Sequence, residues 1–247
     1  MLLVAGTGPE ARTVKPKVPP GRDPGGVAVA LIGAGLDYRR AEVASRLARD
    51  GEGEVIGWDF SDNDARPFSG DNADGRLAAL ALGDEAGAAR LVLARVAPGR
   101  QDQIAAALRF TRETPARIVL LLADPGRPLA AVNLAEAARY LGPMMIVVPA
   151  HRVEGLAPGA VDELAGLLIV AGEAPGGAQR HADVAMVAPI AGPGEGTHAD
   201  DLAAASLVAR ALRWAKDEPR ADGAALRARL IGLAKVRPGA PPLLEGP

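Results

Sequence analysis

EGTHADDLAAASLVARALRW, residues 195–214, is the stretch whose reading decides the fold. A Gly-Thr pair, Gly196-Thr197, opens it. Asp200 and Asp201 follow where the first turn of a helix favours negative charge, because the unpaired N–H groups there carry partial positive charge. Then come Ala203, Ala204, Ala205, Leu207, Val208, Ala209, Ala211 and Leu212. A helix this small and apolar on nearly every side predicts an element buried mid-domain, with others packed close around it.

Outward from that helix the chain alternates two patterns. Short continuous apolar runs read as buried parallel strands: Val27–Ile32, Val55–Phe60, Arg90–Val96, Ile118–Leu122, Met144–Val148, Leu167–Val170 and Val184–Val187. Helical patterns stand between them at Ala41–Leu47, Leu77–Leu82, Asp102–Thr111 and Leu129–Tyr140. Two helices, Asp200–Lys216 and Ala221–Lys235, close the chain. Strands spaced by helices of about 10–15 residues predict an α/β domain with a mostly parallel central sheet and helices on both faces. Residues 1–26 hold five prolines and no apolar period, which predicts an extended arm. The domain then spans 27–236, and the proline-rich tail 237–247 is expected to be loose.

Composition excludes some functions. Net charge is −2, so no basic field invites nucleic acid or an anionic membrane surface. There is no cysteine, which removes disulfides and thiolate metal sites. No apolar run approaches the ~20 residues of a membrane span, and Met1–Gly6 is too short for a signal-peptide core. The compartment stays open.

The order of motifs resembles the subtilisin-like serine proteases. Val27–Tyr38, VAVALIGAGLDY, is similar to the VAVIDTGVDY of that family. Gly57–Asp64, GWDFSDND, is similar to its GWDFVDND, and Ala89–Val96 to its AKLVVVRV. Asp183–Pro189 resembles VDVAAPG, Ala225–Ala234 the closing helix, and the stretch at 195–214 the helix beginning GTSMAAPHVAG. The resemblance implies a three-layer subtilisin-like fold over roughly 27–236, with no cofactor, and export if a leader has been removed.

It does not carry the activity with it. Gly33 stands where the family has its triad acid, Asp74 where it has the base, and His198 where it has the nucleophile. His151 falls where the oxyanion-donating Asn belongs. Loss of one triad member costs about ten-thousandfold or more in rate. Asp74 is too acidic to serve as base near neutral pH unless its pKa is raised. Asp200 and Asp201 would repel an oxyanion at the helix start. The expectation is a catalytically inactive homologue whose cleft serves as a peptide- or protein-binding scaffold.

Alternatives stay open beside it. A serine elsewhere could serve, although Ser206 lies mid-helix, where its hydroxyl is expected to bond its own backbone. Asp74, His151 and His198 could hold a divalent metal or make a different acid/base site, set against tolerated drift in a dead cleft. Gly33-Ala34-Gly35 after a strand suggests a dinucleotide turn, but Tyr38 stands at the third glycine position. Asp59, Asp62, Asn63 and Asp64 lack the spacing of a calcium loop and read as a solvated turn. His181 reads as an exposed loop residue.

Overall fold

The computed structural model describes residues 26–83, 89–154, 166–172, 186–188, 199–237 and 240–244. The expected arm before Gly26, most of the expected strand start at Val184, and His181 and His198 lie outside them.

Nine of the described strands form one sheet in the order β10-β11-β9-β8-β6-β4-β1-β3-β2. They are β1 (Ala28–Gly33), β2 (Gly57–Asp59), β3 (Arg90–Arg95), β4 (Ala116–Leu121), β6 (Met145–Pro149), β8 (Leu167–Gly172), β9 (Met186–Ala188), β10 (Ala234–Arg237) and β11 (Ala240–Leu244). All neighbours pair in parallel except β10 with β11. The helices are α1 (Ala41–Ala44), α2 (Gly75–Leu82), α3 (Gln101–Arg112), α4 (Ala131–Leu141), α5 (Ala199–Asp217) and α6 (Gly223–Gly232).

Alternation along the strands explains the three layers. In β1, Val29 and Leu31 face a core shared with α2, α5 and α6. Ala28, Ala30 and Ile32 face the other core, with α3 and α4. Both faces are apolar because both are covered, which is why the strands read as unbroken apolar runs. α5 packs on α2, β8 and β6. Its Ala203, Ala204, Ala205, Val208 and Ala211 have no exposed surface, so the helix is buried over most of its length, with a half-buried stripe at Ser206, Ala209, Arg210 and Arg213. Its far end is fastened by Arg117 of β4, which donates to the carbonyls of Ala215, Glu218 and Ala221. Helix ends leave such carbonyls without an intrahelical donor, and Arg117 supplies one. Among the described residues no helix is long and apolar enough to cross a membrane.

Four boundaries differ from expectation. The helix expected at Ala41–Leu47 stops at Ala44, because Leu47 bridges to Leu91 and the Ala48 N–H donates to the Leu91 carbonyl. The helix expected from Leu129 starts at Ala131. Leu129–Ala130 is instead β5, paired in parallel with β7 (Val153–Glu154). The last helix starts at Gly223, capped by Asp222 accepting from the Ala225 N–H, and ends at Gly232. The tail expected to be loose from 237 instead carries β11, which turns back antiparallel on β10 and lies beside β9. Pro241 and Pro242 hid this strand. They lack N–H donors, and the β10–β11 register shifts opposite them.

Candidate functional site

The strand order reverses at β1: β3 and β2 lie on one side, β4, β6 and β8 on the other. In open parallel sheets ligands bind beyond the carboxyl ends of strands at such a reversal. Gly33 ends β1 there. Asp74 precedes α2 as its N-cap residue, yet its side chain makes no capping bond. It turns instead to the loop after β1. Its Oδ2 accepts from the Gly35 N–H at 2.8 Å, and its own N–H donates to the Gly35 carbonyl at 3.2 Å. The carboxylate lies in the space a side chain on Gly33 would fill. A Cβ on Gly33 would overlap Oδ2 and sit 2.9 Å from Cγ. Gly33 and Asp74, two positions singled out from the sequence, therefore share the space of one carboxylate.

Asp74 is only 6% exposed. Burial pushes its pKa up from 3.8 to about 6; the amides of Gly35 and Ala34 and the Arg152 charge oppose the rise, and Asp201 adds to it.

The second corner is built where β6 and β8 end. After Pro149 the chain makes a single 3-10 turn, Ala150–Arg152, before entering β7. The β5–β7 pairing straps that turn to the start of α4. α5 delivers two buried carboxylates from its first turn, Asp200 at 7% exposure and Asp201 at 6%. Asp200 accepts from the His151 N–H at 3.0 Å and the Gly172 N–H at 2.8 Å. Arg152 grips Asp201 with Nε and Nη2 at 2.9–3.2 Å. The His151 ring lies between them, Nδ1 3.4 Å from Asp200 Oδ2 and Nε2 3.9 Å from Asp201 Oδ1.

Of the residues singled out from the sequence, Gly33 and Asp74 thus meet directly, and His151 sits with Asp200 and Asp201. Arg152 and Asp201 link the corners through their charges on Asp74. His198 lies outside the described residues, so the trio Asp74, His151 and His198 is not seen complete. Among the described residues no group of three His, Cys, Asp or Glu side chains is placed to hold a metal ion. Asp200 and Asp201 were expected to favour the helix start and to repel an oxyanion; Asp200 also accepts from the His151 and Gly172 amides, and Asp201 from Arg152. Arg152 was missed. Its signal was a charged pair, His151-Arg152, directly after a buried strand.

The other motifs resolve into structure. The Gly35 N–H that a dinucleotide turn would offer to phosphate is taken by Asp74, and α1 is a four-residue helix. Asp59, expected in a solvated turn, is buried at 1% exposure. It accepts from the Ser61 and Asp62 amides and from Arg95, which also holds Asp62. Ser206 donates to the Leu202 carbonyl four residues back. The chain's other serines are Ser45, Ser61 and Ser69. A shallow groove flanks the cleft, lined by Gly99–Asp102 and Pro125–Arg127, with Gln101 Nε2 reaching the Pro125 and Arg127 carbonyls.

Solved structures with the same fold include a cold adapted subtilisin-like serine proteinase. It superposes with a TM-score of 0.64 and 16% identity over 95% of this chain and 96% of that one. The A-subunit of the AB5 toxin from E. coli gives 0.61 at 16% identity over 89% and 88%. MycP1 with its N-terminal propeptide removed gives 0.61 at 18% over 87% and 85%. The chain therefore has a subtilisin-like fold, an α/β sandwich of a mostly parallel sheet between helical layers. No family model matches the sequence, and no curated protein matches it either.

Proposed function

We propose that this chain is a catalytically inactive member of the subtilisin-like fold group, a pseudoprotease whose cleft binds a peptide or protein partner. The observation that carries this reading is the Gly33–Asp74 pair. Acyl transfer by a serine needs a base to take the hydroxyl proton and an acid to orient the base. Here one carboxylate fills both places. The backbone donors nearby are also engaged, Gly35 by Asp74 and His151 and Gly172 by Asp200. The groove lined by residues 99–102 and 125–127, which follow β3 and β4, offers a surface for such a partner.

A remodelled acid/base site is the second reading. Asp74 at about 6 exchanges protons near neutral pH, unlike an ordinary carboxylate. A serine endopeptidase using one of the four serines is a third, and it has no such supporting feature. The test is incubation with casein and with an active-serine probe such as a fluorophosphonate. The expected result is no cleavage and no labelling. Stoichiometric labelling that disappears on mutating one serine would contradict the proposal.

A further inference from the structure

The donors at the ends of β6 and β8 form a second, independent site. The amide of His151, in the 3-10 turn after β6, and that of Gly172, at the end of β8, converge on one carboxylate. Gly172 donates to Asp200 Oδ1 and His151 to Oδ2. Two parallel N–H groups on the two oxygens of one carboxylate is bidentate recognition, the geometry by which free carboxylates are held. The close approach depends on Gly172. A Cβ there would lie 2.6 Å from the Ala199 carbonyl, so only glycine lets the start of α5 reach the end of β8.

We propose that this amide pair is a carboxylate-binding site that the chain fills with its own Asp200. The side chain acts as an internal ligand and keeps the cleft closed to outside carboxylates at this point. Removing it should open the site to small free carboxylates such as formate and acetate. The donors are main-chain groups of the 3-10 turn and of β8, so shortening Asp200 removes neither. The His151 ring stands beside the position, its Nδ1 3.4 Å from Asp200 Oδ2. Arg152 is committed to Asp201, so selectivity rests on the paired amides and favours a small planar anion over chloride. The inference does not depend on whether the protein cleaves peptides, since neither amide nor Asp200 has a part in that reading's test.

The experiment compares wild type, Asp200→Ala and Asp200→Asn in formate and in chloride at equal ionic strength. Asp200→Ala should lower Tm by about 5 °C, the loss expected for two bonds to a buried acceptor. Formate at about ten times its dissociation constant should restore about 3–5 °C. It should also shift the His151 and Gly172 amide resonances, while wild type responds to neither salt. Equal behaviour of Asp200→Ala in formate and chloride would overturn the proposal. So would a formate response of wild type at the same two amides. If Asp200→Ala does not fold in chloride, refolding in formate supports the site, and failure in both salts passes the decision to Asp200→Asn. That side chain has one acceptor oxygen in place of two. One of the two amides should then lose its protection from hydrogen exchange while the other keeps it. Equal protection of both would count against a bidentate site.

Discussion

The two corners of the cleft bury the same chemical group in different ways. At the β6/β8 corner each carboxylate is matched: Asp200 has an amide on each oxygen, and Asp201 has the fork of Arg152. At the β1 corner Asp74 is equally buried but is held by backbone amides, with no cation in contact among the described residues. Its pKa is accordingly pushed up to about 6. Desolvation disfavours the charged form of a carboxylate, and the amides around Asp74 do not offset it. One corner therefore sets an amide-held carboxylate beside the Arg152–Asp201 ion pair, and the other holds a carboxylate whose proton affinity burial has raised.

The largest expected effect comes from breaking the matched corner. Arg152→Ala leaves Asp201 buried without its guanidinium and should cost about 3–5 kcal/mol in urea denaturation. Replacing both partners, Arg152→Met with Asp201→Leu, should cost much less, since no orphaned charge remains. A single substitution no worse than the pair would show that the corner is not held by charge. Arg152→Ala should also raise the Asp74 pKa beyond about 6, because the Arg152 charge holds it down; a carboxyl titration by NMR reads this directly.

Next is the pH dependence of the unmatched corner. Asp74 holds its proton more tightly folded, at about 6, than unfolded, at 3.8. Its contribution to stability is fully present below pH 3.8 and declines as pH rises, and it is lost once pH passes about 6. Against Asp74→Asn, wild type should therefore lose on the order of 3 kcal/mol between about pH 4 and pH 6 and stay parallel above that. Parallel curves throughout would mean that Asp74 is matched after all.

The smallest effect belongs to Ser206→Ala. Its hydroxyl bonds only the Leu202 carbonyl of its own helix. Stability should change by less than about 1 kcal/mol, with no change in probe labelling.

Much of this frame was legible in the sequence. The small-residue run of α5 foretold a helix buried on nearly every side, which holds apart from the stripe at Ser206, Ala209, Arg210 and Arg213, and the apolar strand runs foretold a sheet covered on both faces. The glycine at position 33 was also readable, as was the lack of any histidine before His151. What was not readable depends on approach in space. Asp74 looks like a helix cap, and nothing local says that its side chain turns back to a residue 39 positions earlier. Asp200 and Asp201 obey the rule for helix starts and so concealed their second role, as acceptors for the His151 and Gly172 amides and for Arg152. The β10–β11 hairpin was hidden by prolines whose missing donors the register shift absorbs.

The shared carboxylate at β1 is tested most directly by a double-mutant cycle on Gly33 and Asp74. Gly33→Ala alone should lose about 1–3 kcal/mol, because the new methyl group meets the Asp74 carboxylate. In an Asp74→Ala background the same change should cost nothing, or stabilise by about 0.4–1 kcal/mol through the unfolded chain. Additive losses in the two backgrounds would place the Asp74 side chain elsewhere and contradict the account.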